Sequence, residues 1–435
     1  LNSRELLFII IGKKEVFMKS VKILFLISLI LSLFVCVGCS GEATPAAPEM
    51  PIPVKVPKKY EIIVYDSWKI KHGTLSVDKE TAEAGETVTI TLTPENGYRV
   101  SSITAKISNN RDVQVDGTDN VRTIVMPSEI LLVTATFEKN YLPLTINTKD
   151  YPFVTFGQWP QTKLYDPNIS VDEENSKVVG LFTYYKGNDE AWYAKVESSY
   201  YKVEPIKWKN VTKDYNGTGK TFLMAENILD VCKYFDVQFN RKISGETVYP
   251  NNYRHSRIRA YLNGRSYHSA FVNEAHKLEE KNEQCFAGKG FLQTAFTIEE
   301  RNWIELTSVL NNARSTFWSG SKYDDRENIY ASDIATEDEI FLLSMQEITN
   351  PEFGFQTTLI HKTSEETEDD ERLQITYTDF AKANGLEMIR GETLWWLRSP
   401  AENSASYARC IYTHEGNSSS WIDFNYGVVP AFCLK

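Results

Sequence analysis

The chain has little of what most catalytic and metal sites are built from. Only six histidines occur in 435 residues, His72, His255, His268, His276, His361 and His414, and none forms the His-Glu-x-x-His pattern of a zinc protease. The nucleophile elbow Gly-x-Ser-x-Gly is missing, since Trp318-Ser319-Gly320-Ser321 lacks its first glycine. Asn216-Gly217-Thr218-Gly219-Lys220-Thr221 ends like a phosphate-binding loop, but Asp214 stands where that pattern needs glycine, and the flanks read as two strands joined by a turn. Beyond Cys39 only Cys232, Cys285, Cys410 and Cys433 remain, none with the close spacing of a zinc site. No cofactor and no metal are therefore expected. The net charge of −11, without a compensating Lys/Arg stripe, argues against nucleic acid or an anionic lipid surface as partner.

What is present begins with the thirteen-residue apolar run Ile23 to Val35, preceded by Lys19 and Lys22 and followed by Cys36-Val37-Gly38-Cys39. A run of this length is short for a membrane span, which needs about 20 residues. The charged flank, apolar run and small residue before cysteine match an export signal. The ending resembles the lipobox of bacterial lipoproteins, with Cys36 where the family usually has Leu. That resemblance implies acylation, palmitate included, at Cys39. Residues 1–17 read as an upstream extension, 18–38 as a lipoprotein signal peptide, and 39–59 as a tether. Ser40 to Lys59 holds five prolines, which disfavour helix and prefer extended conformations. The expected address is the cell envelope, outer membrane or surface, with the lipid as the link to the membrane.

Residues 60–139 alternate like strands. The runs are Ile62-Ile63-Val64, Val88 to Leu92, Arg122 to Val125 and Leu132 to Phe137, with turns at Gly85-Glu86 and Asn96-Gly97. The order Gly73-Thr74-Leu75, Ala84 to Val88, Pro94 to Tyr98 and Met126-Pro127 resembles the divergent internalin-B-type repeat of bacterial surface proteins. The resemblance implies a small β-rich spacer that presents other domains. Asn96-Gly97 and Tyr98 read as turn and core.

Residues 141–435 mix strand runs with helix signals. Thr297-Ile298-Glu299-Glu300 has capping-box spacing and opens a helix expected to carry Trp303, Ile304 and Leu306. Ser256 to Leu262 reads as a second helix stopped by Asn263-Gly264, and Thr378 opens a third that ends at Asn384-Gly385. Asp338 to Leu343 and Leu394 to Leu397 read as buried strands. Glu365 to Glu371, six acids among seven residues, reads as an exposed loop. The fold class expected is α+β.

Ordered landmarks run through this region: Phe156 to Gln161, Pro205 to Trp208, Leu223 to Leu229, Ser256 to Asn263, Ala295 to Glu300, Asp338 to Glu347, Trp395 to Pro400 and Gly427 to Phe432. They resemble a bacterial domain of unknown function, the one numbered 6273, with Val429 where many members carry Arg. A Trp-rich strand, a long polar loop and a glycine-led last strand are also similar to C-type-lectin-like and formylglycine-generating-enzyme-like folds. That likeness implies a C-type-lectin-like domain whose last loops bind a protein or glycan. Within Asn403 to Gly427, thirteen of twenty-five residues are Asn, Ser, Tyr, Asp or His, side chains suited to adaptable recognition. The candidate ligand contacts are Trp396, Asn403, Tyr407, Tyr412, His414, Asn417, Trp421, Asp423 and Tyr426.

Trp395 and Trp396 should project to opposite faces of their strand, one into the core and one outward or under a loop. Arg398 can tie loop carbonyls or a carboxylate such as Glu347 or Asp338, as a structural clamp. Cys410 and Cys433, in the two final strand-like runs, are the candidate disulfide, with buried free thiols as the alternative. Carboxylate pairs for glycoside hydrolysis leave no linear signature, because their spacing is spatial. A surface hydrolase of glycans or peptides is thus the alternative to a binding module, and a structural envelope protein the second.

Overall fold

The computed structural model describes residues 58–272, 278–317, 327–355, 375–389, 391–412 and 416–435. The segments assigned to signal peptide and lipidation, with Cys39, lie outside them, as do all but the last two residues of the tether, and so do His414 and the acidic run at Glu365 to Glu371.

Lys59 to Lys139 folds as two small sheets around one core. Lys59–Val64 pairs antiparallel with Thr81–Glu83 and parallel with Leu131–Lys139, which also holds Tyr98–Ile107. Gly73–Val77, Thr87–Pro94 and Val121–Val125 form the second, antiparallel sheet. The period of two explains the burial: Val88, Ile90 and Leu92 point inward from one strand, to meet Ile62, Val133 and Ala135. Tyr98 lies at the boundary rather than in that core, stacked on His72 and set edge-on to Phe153 of the next domain.

From Leu142 onward two larger sheets share a single core. Ser199–Thr212, fourteen residues long, pairs along its length with Trp192–Val196, Phe153–Lys163 and Phe222–Ala225. The second sheet runs Asp230–Lys233, Asn425–Val428, Glu392–Pro400, Tyr407–Tyr412, Gly416–Trp421. The chain end joins the two: after Val428 it leaves the second sheet through Pro430, and Ala431–Cys433 pairs with Phe222–Ala225 in the first. Proline has no N–H to continue the ladder. Val154, Trp159 and Trp208 belong to the same contiguous core as Phe341, Trp395 and Phe432. Three buried indoles satisfy their N–H on backbone carbonyls: Trp159 on Leu229 (3.0 Å), Trp208 on Phe156 (2.7 Å) and Trp396 on Cys232 (2.9 Å).

The expected α+β class is not what the chain forms. Among the described residues there are four α-helices, Arg257–Asn263, Phe291–Ala295, Ile298–Arg301 and Asp379–Ala383, of four to seven residues each. The fold is β-rich, and an α+β C-type-lectin-like domain is not supported. The caps are real: Ser256, Thr297 and Thr378 each accept from a backbone N–H in the first turn, and Glu300 returns the bond to Thr297. What the caps open stops within two turns. Gly264, left-handed at φ 62°, ends the first helix, and the helix from Ile298 ends at Arg301, leaving Trp303 and Leu306 beyond it and partly exposed. Ile340 to Leu343 are fully buried, as expected, but the strand there covers only Thr336–Asp338. Of the two readings for Cys410 and Cys433, the disulfide is not formed and the alternative holds: both are buried free thiols, on strands of different sheets.

Candidate functional site

Glu392–Pro400 is the centre of the site's scaffold, held parallel to Asn425–Val428 and antiparallel to Tyr407–Tyr412. Both of its faces are buried in the shared core, and Trp395 and Trp396 are both fully buried. Of the two alternatives for the second indole, outward or under a loop, the outward one is excluded. Gly427 lets the strands close: a Cβ there would lie 2.7 Å from Ile228 and 2.9 Å from the Leu394 carbonyl.

At the end of this strand sits a buried ion pair. Arg398 donates to both oxygens of Glu347, at 2.8 Å from Nη2 to Oε1, and also to the carbonyls of Leu342 (2.7 Å) and Leu310 (3.1 Å). Tyr215 donates its hydroxyl to Glu347 at 2.5 Å, and the Ser344 amide donates at 2.8 Å. Burial alone would raise the Glu347 carboxyl, but the Arg398 charge and these hydrogen bonds outweigh it and hold it below the usual carboxylate range. Asp338, the other carboxylate considered, is taken by Arg259 instead. The group ties three loops to the sheet and lies away from solvent, which makes it structural.

The strand pair Tyr407–Tyr412 and Gly416–Trp421 carries the exposed part of the site. Tyr407 stands opposite Trp421, their rings 4.5 Å apart and steeply inclined. Trp421 and Phe424 each keep 39% of their surface exposed, and Asn403 is exposed as well. Asn251, fully buried, pins the loop by donating to the carbonyls of Ser404 and Tyr407, both at 2.9 Å. Asp423 accepts from Gln238 at 2.9 Å.

The nine candidate contacts thus separate. Tyr407 and Trp421 are brought together, with Asn403 four residues before the first and Asp423 two after the second. Tyr412 projects from the opposite face of its strand to Tyr407, five positions on. Trp396 and Tyr426 are core residues, 4.9 Å apart between ring centroids, and are withdrawn as ligand contacts. Asn417 holds a place opposite Ile411 in the hairpin. Arg409 was missed. It shares the face of Tyr407, two residues on, and is mostly buried with Glu402 at 3.9 Å. The same alternation that marks Tyr407 would have marked it.

An open groove of about 420 Å³ lies elsewhere, lined by Gln161, Thr162, Glu204, Tyr377 and Asp379 among others. Glu204 accepts from the amide and hydroxyl of Thr162, at 3.1 and 2.6 Å, and Asp379 from the amide of Lys163 at 3.0 Å. Among the described residues, no group of three His, Cys, Asp or Glu is placed to hold a metal ion, and no helix is long and apolar enough to cross a membrane.

A small module of two sheets around one core is followed by a β-rich domain with an aromatic surface at one strand pair, which makes this a two-module chain. Comparison with known families identifies both modules. Residues 68–141 match the divergent InlB B-repeat domain, and residues 218–435 match the domain of unknown function DUF6273. The second match covers half of the chain, and the chain belongs to that family. No curated protein and no solved structure matches. The family match begins at residue 218, yet Phe153–Lys163 and Ser199–Thr212 complete the same core.

Proposed function

We propose that this chain is an exported, lipid-anchored binding module of the cell envelope, in which the repeat is a spacer and the strand pair Tyr407–Tyr412 and Gly416–Trp421 presents a recognition surface for a glycan or protein. The observation that carries the reading is the exposed Trp421 and Phe424, with Tyr407 packed against Trp421 and Asn403 and Asp423 close by in the chain. Large aromatic faces offer rigid contact area at small entropic cost, and neighbouring amide and carboxylate groups supply direction. The anchor rests on the lysine-flanked apolar run and Cys39.

A glycan array together with a panel of host-matrix proteins, probed with the full chain, tests it. Trp421→Ala should weaken binding by tenfold or more, about 1.4 kcal/mol, with its melting temperature retained. Absence of binding on both panels, or full binding by the Trp421→Ala chain, would defeat the reading. Cys39→Ser should abolish palmitate labelling and release the chain from the membrane fraction. A hydrolase is the second reading, favoured by one observation: Glu204 and Asp379 line the same open groove. Turnover of a chromogenic glycoside, lost in Glu204→Gln and Asp379→Asn, would establish it.

A further inference from the structure

In a chain that is acidic overall, one short stretch gathers positive charge. Arg254, His255 and Arg259 line a pocket of about 160 Å³ together with Arg265 and His268. Local structure explains the convergence. Asn252 and Ser256 accept from the amides of His255 and Arg259, which turns the chain into the short helix, and left-handed Gly264 reverses it. Arg265 then donates its amide to the Ala260 carbonyl and brings Tyr267 and His268 back beside the residues that preceded the helix.

Among the described residues, the buried carboxylate of Asp338 meets two of the guanidiniums that line the pocket. Asp338 accepts from Arg259 Nε at 2.8 and 3.0 Å and lies 3.6 Å from Arg265 Nη1. Arg259 also donates to the Arg254 and Glu337 carbonyls, and Arg265 Nη2 to the Glu337 carbonyl at 2.7 Å. Arg241, buried behind the pocket, donates to the carbonyls of His255 and His268. Glu283, opposite Tyr267 on the adjoining strand, is paired with Lys281 at 3.1 Å. Among the described residues, the side chains of Arg254, His255 and His268 have neither a hydrogen-bond partner nor a carboxylate. Burial, then the charges of Arg241, Arg254 and Arg259, push the His255 imidazole down to about 4.

Guanidinium groups in a concave, partly dehydrated setting favour an anion, and donors from two chain segments suit a group with oxygens in three dimensions better than a planar carboxylate. We propose that this pocket binds a tetrahedral oxyanion, a phosphate or sulfate, either free or as an ester on a saccharide. The proposal stands apart from the aromatic surface and does not rest on it.

The test is a titration of the full chain with inorganic phosphate and with sulfate at constant ionic strength, read on the ring signals of His255 and His268. Saturable shifts of both are expected, with affinity at least tenfold weaker in Arg254→Gln and in His268→Gln. A linear, unsaturated response, an unchanged response in both variants, or acetate binding as tightly as phosphate would overturn the proposal. Glucose 6-phosphate and glucose 6-sulfate distinguish the sources: tighter binding than the inorganic ions assigns the ester, and equal or weaker binding assigns the free ion.

Discussion

Replacing Arg398 by methionine keeps much of the side chain's volume and removes only its charge and donors. Glu347 is then left as a buried carboxylate with just the Tyr215 hydroxyl and the Ser344 amide, while the carbonyls of Leu310 and Leu342 lose their partner. Breaking a buried pair from one side costs about 3–5 kcal/mol, and part of the carbonyls' loss, about 1–3 kcal/mol each when fully orphaned, falls within that range. Glu347→Met should cost a comparable amount, whereas the double variant should cost less than the two singles together, because no charge remains unpaired. Equilibrium urea unfolding followed by tryptophan fluorescence reads this as a lower midpoint at unchanged slope. The pH dependence has a definite sign. A carboxyl lowered in the folded state contributes stability that is present above its unfolded value of about 4.3 and is lost as pH falls through the folded value. The gap between wild type and Arg398→Met should therefore be full at neutral pH and narrow in acid. A loss under about 1 kcal/mol, or strictly additive singles, would refute the clamp.

Three further outcomes follow from the same geometry. His255 should titrate near 4 rather than about 6.5. Between those values the unfolded chain binds the proton first, so stability falls as pH drops through this window, by on the order of 1–2 kcal/mol once part exposure is discounted; His255→Gln should remove that slope, and an NMR midpoint near 6.5 would contradict it. Gly427→Ala drives a methyl against Ile228 and the Leu394 carbonyl and should cost about 1–3 kcal/mol in the same urea assay. Because the four cysteines of the described residues are free, dithiothreitol should leave the melting temperature unchanged, and the exposed Cys285 should react with a thiol reagent ahead of the three buried ones.

Local chemistry was readable from the chain alone wherever its range is a few residues. Ser256, Thr297 and Thr378 announce helix starts because a cap bonds to an amide three positions on, and Val88, Ile90 and Leu92 announce a half-buried strand because the side-chain period is two. The two resemblances that the family comparison matches, the InlB-type repeat and the domain of unknown function, were carried by such ordered local landmarks. How far each helix runs, and that sheets dominate, was decided by long strands such as Ser199–Thr212 finding several partners, which no window of residues contains. Composition could not tell Tyr426 from Trp421: both are aromatic residues in a polar stretch, and only tertiary packing puts the first in the core. Arg398 and Glu347 are 51 positions apart, and the guanidinium's choice of Glu347 over Asp338 depends on which loop is brought to the strand end. The cationic pocket lies within fifteen consecutive residues, yet it exists only because Gly264 folds His268 back toward Arg254. Sequence thus determines the bonds between near neighbours, and tertiary structure determines which faces meet, since burial is a property of what lies on the other side.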